Sequence, residues 1–256
     1  MTYQHIELTR RDGIVELRLH TDGGPLHWGD GPREDLSRAF GELAHDPDLR
    51  VVILTGTGDV FSGPKPGVEP YPILDPVGWE RDRWHAELML RNLLGIQAPV
   101  IAALNGPAMW HAEIPLLSDI ILAADDVYLQ DAGHFLFRTA PGDGLHIVMP
   151  LLMGKVRGSY YLMTGQEVTA QEAKEMGLVN ELMPRDRLLD RAWELAEGLA
   201  RQNRLALRYT RLLLGHHVKG LFHELHGFGL ALEGLGVVDE GLRQSASGRY
   251  EERSAR

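Results

Sequence analysis

The N-terminal part of the chain combines alternating and continuous apolar runs. Ile6 to Leu8 and Ile14 to Leu19 alternate with polar residues on either side of Arg11-Asp12-Gly13, which predicts a β-hairpin. A helix is expected from about Arg33 to His45, where apolar residues recur at helical spacing. The apolar run from Val51 to Gly56 is typical of a strand that is buried on both faces of a sheet.

The middle of the chain repeats this order of strand and helix. A helix is predicted from Trp79 to Ile96 and a strand from Pro99 to Gly106. A short helix, an apolar run and a short strand are expected at 112–117, 119–124 and 127–129. Strands that alternate with helices in this way favour right-handed βαβ units and a parallel sheet, so we predict an α/β protein.

The last third of the chain is predicted to be mostly helical. The helical stretches are 149–164, 170–176, 188–202 and 205–215. A Pro- and Gly-rich stretch at 58–78 predicts a long loop of the kind that borders functional sites. We divide the chain into a core at 1–198 and a C-terminal helical region at 199–256 that is not an independent domain.

The composition of the chain limits which classes of protein it can belong to. A chain of 256 residues with 44% hydrophobic residues can bury a full core. Its formal charge of −10 argues against nucleic acid as a partner, and without an apolar run of about 18 residues or a signal-like N-terminus we expect no membrane contact and a cytoplasmic protein. The absence of cysteine rules out disulfides and thiolate chemistry.

Candidate chemistry is concentrated between residues 105 and 144. His134 follows a predicted strand, and the turn Pro141-Gly142-Asp143-Gly144 can bring a carboxylate against its imidazole. A His–Asp pair can activate water, because the carboxylate orients the ring and stabilises the imidazolium. Asp143 can also be an ordinary turn residue, since Asp before Gly is common in turns.

The same region offers residues that bind metals. His111, His134, Asp143 and Glu113 are present, but their spacing matches no HExxH-like motif, so we predict no metal. The chain also lacks the GxGxxG fingerprint, the P-loop and the GxSxG serine elbow. We therefore expect no cofactor.

Several stretches in a fixed order resemble the crotonase (enoyl-CoA hydratase/isomerase) superfamily. They are Val51 to Gly56 with Phe61-Ser62-Gly63, Ala98 to Ala108, Ser118-Asp119-Ile120, Leu162 to Gln166, Ala173, and Gly177 to Asn180. The resemblance implies a crotonase-like spiral of ββα units. It also implies a helical C-terminal trimerisation region, so a homotrimer or a dimer of trimers is expected.

The chain departs from typical hydratases of that superfamily at the site. Met109-Trp110-His111-Ala112 replaces the glycine run that helps to form an oxyanion hole for a CoA thioester. His134 stands where those enzymes carry a catalytic glutamate, and Pro64 to Pro66 follow Gly63 in place of a small residue and an aspartate. A CoA hydratase is therefore the secondary expectation.

The chain is most similar in these motifs to the CoA-independent 6-oxocamphor hydrolase, or β-diketone hydrolase, branch. The matching stretches are Asn105-Gly106-Pro107, His111 to Pro115, Ser118 to Ile120, Gln130 to Phe135, and Pro141 to His146. The resemblance implies retro-Claisen hydrolysis of a cyclic 1,3-diketone to a keto acid. Water would be activated by His134 and Asp143, and the enolate oxygen would be met by His111 and the Trp28 indole.

The resemblance adds further candidate residues. Glu233 falls where the family has a functional carboxylate, although an exposed helical glutamate is the competing interpretation. Arg33 replaces a family histidine in the first helix, and we assign it to the substrate site. Trp84 and Phe135 are also expected to line the substrate pocket.

Three functions remain open at this point. The first is a β-diketone hydrolase whose partner is a small-molecule diketone. The second is a crotonase-family CoA-thioester hydratase, isomerase or hydrolase with a rebuilt site. The third is a catalytically inactive crotonase-fold scaffold.

Overall fold

The structure of the protein is a computed structural model. It describes residues 2–29, 31–64 and 76–254, with side chains up to residue 240. The strands are β1 (Ile6–Arg11), β2 (Ile14–Leu19), β3 (His27–Trp28), β4 (Val51–Thr55), β5 (Gly63–Pro64), β6 (Val100–Leu104), β7 (Ile120–Ala124), β8 (Tyr128–Leu129), β9 (Val168–Thr169) and β10 (Glu181–Met183). The helices are α1 (Pro32–His45), α2 (Pro76–Gly95), α3 (Glu113–Leu116), α4 (Ala132–Phe137), α5 (Leu145–Met153), α6 (Lys155–Thr164), α7 (Ala170–Glu175), α8 (Arg185–Ala200) and α9 (Arg204–Ser254).

The main sheet has six strands in the order β1-β2-β4-β6-β7-β10. The β1–β2 pair is the predicted hairpin, and the remaining neighbours are parallel. Every residue of β4 and β6 is buried, as expected for strands that helices cover on both sides. The expected α/β architecture is confirmed.

Helices cover both faces of this sheet. One face packs against Leu188, Ala192 and Ala196 of α8, where Ile53 and Ile101 also lie. The opposite face joins α1 and α2 in the larger apolar core. The loop after β6 therefore starts from a strand that is buried on both faces.

Several predicted helices differ from the observed ones. The single helix expected at 149–164 is interrupted at Gly154, whose positive φ of 79° ends α5 before α6 begins. The helix expected at 205–215 is the start of α9, which is 51 residues long. Helix α4 was missed, because six residues carry too little periodicity to predict a helix.

The long loop expected at 58–78 lies mostly outside the described residues. Its first part forms β5, which pairs in parallel with β3, and its last residues already belong to α2. Among the helices that the structure describes, none is both long enough and apolar enough to cross a bilayer.

Arg211 ties α9 to the edge of the core. Its side chain is 7% exposed, and its Nε donates to Asp119 Oδ2 at 2.6 Å. The same carboxylate oxygen accepts from the backbone N–H of Val100 at 2.7 Å, and Arg211 also donates to the carbonyl of Ile96. This contact fixes α9 beside the strand that precedes the functional loop.

We expect Arg211→Ala to lower the free energy of unfolding by about 2–3 kcal/mol. This is less than the roughly 3–5 kcal/mol for breaking a fully buried pair, because Asp119 remains 28% exposed. Chemical denaturation measures the change. The exposed Arg204 on the same helix gives the matched control, and Arg204→Ala should change stability by less than about 0.5 kcal/mol. Equal losses in both variants would contradict this assignment.

Candidate active site

Six side chains from separate elements meet in one buried cluster. They are Trp28 on β3, Arg33 on α1, His111 before α3, His134 on α4, Asp143 before α5 and Glu233 on α9. The structure therefore brings together residues that lie as much as 205 positions apart in the sequence. Their catalytic roles remain predictions.

The loop after β6 places His111 in the cluster. Asn105 Oδ1 accepts from the N–H of Gly56, and Ser62 Oγ donates to the carbonyl of Trp110, so the loop is fixed at both ends. His111 itself has a φ of +57°, in the left-handed region. This conformation costs a residue with a side chain about 1–3 kcal/mol and is concentrated at functional sites.

The ring of His111 is engaged on both nitrogens. Nδ1 lies 2.8 Å from Glu113 Oε1 and 2.9 Å from Asp143 Oδ2. Nε2 lies 3.1 Å from Nη2 of Arg33, and the Trp28 ring is 4.0 Å away between centroids. His111 is thus held between two carboxylates and one guanidinium.

The ring of His134 is held by an aspartate that the sequence analysis did not select. Asp131 is the N-cap residue of α4, and its Oδ1 lies 2.7 Å from His134 Nδ1. Asp143 Oδ1 and Glu233 Oε1 lie on the opposite side, 3.5 and 3.4 Å from Nε2. Asp143 therefore faces Nε2 of His134. The sequence analysis expected Asp143 to orient the ring, but Asp131 does so, at Nδ1.

Charge interactions shift the pKa of both partners in the His134 group. Burial lowers the pKa of His134, but Asp143, Glu233 and Asp131 together outweigh burial and hold it well above its usual value. Burial raises the pKa of Asp143, but His134 and His111 outweigh that effect and hold it well below the ordinary range. The imidazolium form of His134 is therefore favoured beside an ionised Asp143. The stability from this proton is present at low pH and lost as the pH rises through the pKa of folded His134.

Glu113 and Glu233 are the carboxyl groups that hold protons most readily. Burial, followed by repulsion from Asp143, raises the pKa of Glu113 to about 7. Burial also raises the pKa of Glu233, against the opposing effect of His134. Glu113 and Glu233 can therefore hold protons inside the site, beside an ionised Asp143.

Some buried polar atoms of the cluster and of the adjoining Glu113 have no hydrogen-bond partner among the described residues. These are Trp28 Nε1, Glu113 Oε2, Asp143 Oδ1 and Glu233 Oε2. Buried polar groups are nearly always hydrogen-bonded, so unpartnered ones gathered in one place are available to a bound molecule. The indole supplies a donor, while an ionised carboxylate supplies acceptors.

The predicted pocket residues Trp84 and Phe135 lie outside this cluster. Trp84 and Phe135 are 50% and 59% exposed, whereas Trp28, His111, Asp143 and Glu233 of the cluster are buried. Phe135 instead lies close to Gly165, where an added Cβ would come within 2.6 Å of its ring. Their contact with substrate remains a prediction.

Two residues that position the site were missed from sequence. The sequence does contain a signal for Asp131, because an Asp that precedes His134 by three residues at the start of a short helix fits an N-cap pattern. His226 on α9 donates its Nε2–H to the carbonyl of Asp143 at 3.1 Å. No local signal marks His226, because 83 residues separate it from Asp143.

Two groups in the cluster have the residue types of a metal site. They are His111 with Glu113 and Asp143, and His134 with Asp143 and Glu233, each with its ligand-type atoms within 4.8 Å of one another. A tetrahedral zinc ion, about 2.0–2.1 Å from its ligands, separates them by about 3.3 Å. The 2.8 and 2.9 Å contacts of His111 are instead donor–acceptor distances, and the neighbouring Arg33 would repel a cation.

Comparisons with known proteins identify the class of this fold and site. The family described as Enoyl-CoA hydratase/isomerase matches residues 29–221, and the chain belongs to this family of crotonase-fold enzymes. Probable enoyl-CoA hydratase EchA12 of Mycobacterium tuberculosis is 32% identical over 186 residues, which make up 70% of this chain and 65% of that protein. The match thus spans about two thirds of the length of that relative.

A solved structure similar to this chain is named for an activity other than enoyl-CoA hydration. ABDH, a beta-diketone hydrolase from the cyanobacterium Anabaena sp. PCC 7120 bound to (S)-3-oxocyclohexyl acetic acid, is 41% identical with a TM-score of 0.89. The similarity covers 93% of this chain and 95% of ABDH. An enoyl-CoA hydratase/isomerase from Mycobacterium paratuberculosis has a TM-score of 0.85 at 23% identity, over 94% of this chain and 96% of that one, which supports the fold alone.

We expect Asp131→Asn to lower the pKa of His134. Asparagine can still cap α4 and accept the Nδ1–H, but the negative charge that stabilises the imidazolium is gone. Titration of the His134 ring by NMR measures the change. Asp126→Asn, at an exposed surface aspartate, is the control and should leave this pKa where it was. An unchanged His134 pKa in Asp131→Asn would rule out Asp131 as its partner.

Proposed function

We propose that the protein is a CoA-independent hydrolase that cleaves a carbon–carbon bond of a cyclic 1,3-diketone by a retro-Claisen reaction. The observation that carries this proposal is the partly buried His134, held at Nδ1 by Asp131 and facing Asp143 and Glu233 with Nε2. The similarity to ABDH, a beta-diketone hydrolase, supports it.

The first step is activation of water by His134. In its neutral form His134 donates Nδ1–H to Asp131 and leaves Nε2 without a proton. Nε2 can then take a proton from a water that also donates to Asp143 Oδ1. Because carboxylates raise the pKa of His134, the fraction of neutral His134, which can act as a base, increases as the pH rises above the usual histidine range. Catalysis should therefore favour mildly alkaline pH.

The second step is breakage of the carbon–carbon bond. The hydroxide formed from water adds to one carbonyl carbon, and the tetrahedral alkoxide then expels the central carbon. The electron pair of the broken bond passes to the other carbonyl as an enolate. The His134 imidazolium returns the proton to the enolate carbon, so diketone and water give one keto acid.

The enolate oxygen requires hydrogen-bond donors, because a carbanion is a poor leaving group. Trp28 Nε1 is buried without a partner among the described residues, and its ring lies beside His111. The His111–Arg33 pair is the second source of donors. Loss of one such donor commonly costs about a hundred- to a thousand-fold in rate.

The altered loops argue against thioester chemistry of the hydratase type. In hydratases two loop segments supply the backbone N–H groups of the oxyanion hole. In the first segment, Pro64 follows Gly63 where a small residue is expected, and proline has no backbone N–H. In the second segment, His111 lies where those enzymes have a glycine run. Acyl-CoA hydration nevertheless stays the second candidate, because relatives such as EchA12 carry that name.

Assembly into a homotrimer, or a dimer of trimers, belongs to the same proposal. Several large apolar side chains around α6 are exposed in the single chain, which is the character of a subunit interface. They include Leu136, Val156, Tyr160 and Met163. Analytical ultracentrifugation should give three or six times the mass of one chain, whereas a monomer at micromolar concentration would refute this assembly.

We expect the purified protein to convert a cyclic or bicyclic 1,3-diketone to a keto acid. His134→Ala should lower kcat by about a hundred- to ten-thousand-fold through loss of the general base. Mass spectrometry of the product and loss of the diketone absorbance measure the reaction. His45→Ala, at an exposed histidine of α1, is the control and should retain wild-type kcat.

Two results would count against this proposal. Full activity in His134→Ala would refute the role of the base. Absence of turnover across a panel of diketones, together with tight acyl-CoA binding by calorimetry, would favour the thioester function instead. No turnover and no acyl-CoA binding would favour an inactive scaffold.

A further inference from the structure

The guanidinium of Arg33 contacts the nitrogen of His111 that the two carboxylates leave free. Arg33 Nη2 lies 3.1 Å from His111 Nε2, and Arg33 Cζ lies 5.6 Å from the centre of the Trp28 ring. Arginine stays charged throughout the working pH range and has no acceptor atom. In this contact Arg33 must therefore donate, and Nε2 of His111 must accept.

This direction of donation fixes the proton on His111. An accepting Nε2 leaves the proton on Nδ1, where Glu113 Oε1 and Asp143 Oδ2 lie within hydrogen-bond distance. Glu113 and Asp143 raise the pKa of His111 by more than burial and the guanidinium lower it, so the carboxylates favour a second proton on the ring. That proton would have to lie on Nε2, where it would set two donors against each other at 3.1 Å, so the observed contact with Arg33 requires an unprotonated Nε2.

We propose that Arg33, rather than His111, donates to the negatively charged oxygen of the substrate, and that His111 is a positioning residue held as its Nδ1–H tautomer. This inference rests on the proposed retro-Claisen function. Arg33 and the Trp28 ring both adjoin His111 and can together supply N–H donors to that oxygen. The guanidinium lowers the pKa of Asp143 and Glu233, so its charge acts across the whole cluster.

A permanent cation at this position stabilises the charge that cleavage creates. In the proposed reaction hydroxide adds to one carbonyl of the keto form, and the enolate that leaves carries its charge on the oxygen of the other carbonyl. Arginine presents several N–H donors and stays charged, whereas a neutral imidazole offers only one N–H. Diketones, whose second carbonyl can take up this charge, should therefore be cleaved in preference to isolated ketones.

The tautomer can be tested without any turnover. In protein labelled with 15N-histidine, NMR at neutral pH should give His111 one protonated nitrogen, Nδ1, and one unprotonated nitrogen, Nε2. Loss of a signal in His111→Gln assigns the ring. In Arg33→Met the carboxylates act unopposed, so both nitrogens should become protonated. A doubly protonated His111, or an Nε2–H tautomer, in the wild-type protein would overturn the proposal.

Kinetics test the donor role directly. Arg33→Met should lower kcat for a cyclic 1,3-diketone by about a hundred- to a thousand-fold with a smaller change in KM. Arg33→Lys should recover part of kcat, because it keeps a charged donor but loses the fork. Arg38→Met, at a more exposed arginine of the same helix, is the control and should keep wild-type kcat. Unchanged kcat in a folded Arg33→Met would refute the donor role.

The pH profile separates an arginine donor from a histidine donor. Arg33 faces His111 at 3.1 Å and Asp82 at 4.0 Å, with Asp143 and Glu233 further within its field. The wild-type kcat should not fall at alkaline pH through loss of a donor proton, since arginine does not lose its proton there. In Arg33→His, kcat should fall as the pH rises through the pKa of the introduced imidazole.

The outcomes separate this inference from the proposed function. An alkaline loss of kcat in the wild-type protein that disappears in His111→Gln would identify His111 as the donor and overturn the inference. Absence of turnover on every diketone would refute the proposed function. The NMR result would still decide whether Arg33 fixes the His111 tautomer.

Discussion

The buried carboxylate of Asp143 lies between two imidazole rings. Its Oδ2 is 2.9 Å from His111 Nδ1, and its Oδ1 is 3.5 Å from His134 Nε2. A carboxylate that is 3% exposed is costly unless partners compensate its lost hydration. The two rings provide that compensation, and Asp143 in turn sets the proton affinity of both. Its position depends on the packing of its turn against α9, where Gly142 leaves no space for a side chain because an added Cβ would lie 2.0 Å from the carbonyl oxygen of Gly229.

The cluster keeps different carboxyl groups in different protonation states. Asp143 is ionised because His134 and His111 stabilise its charge, whereas burial raises the pKa of Glu113 to about 7. Groups whose environments drive their pKa values apart are suited to separate acid and base roles. Asp131 completes this division, because it orients His134 from the side away from Asp143.

Much of the fold could be predicted from the sequence. The strands β4 and β6 are continuous apolar runs, because both of their faces are buried, and the hairpin of β1 and β2 alternates around a turn. Helix boundaries were less predictable. Periodicity alone did not reveal the break at Gly154, the full length of α9 or the short α4, since these depend on backbone conformation and tertiary packing.

The sequence by itself determined the fold, the family and the presence of His111, His134 and Asp143 in one region, because these follow from local pattern and motif order. Only the tertiary structure decided which atoms meet. Glu233 reaches Nε2 of His134 from 99 residues away (233 − 134), and Arg33 reaches Nε2 of His111 from 78 residues away. Hydrogen-bond direction and pKa depend on distances of a few ångströms between elements. Such distances are set by how elements that are far apart in the sequence pack in the fold, which no local stretch of sequence encodes.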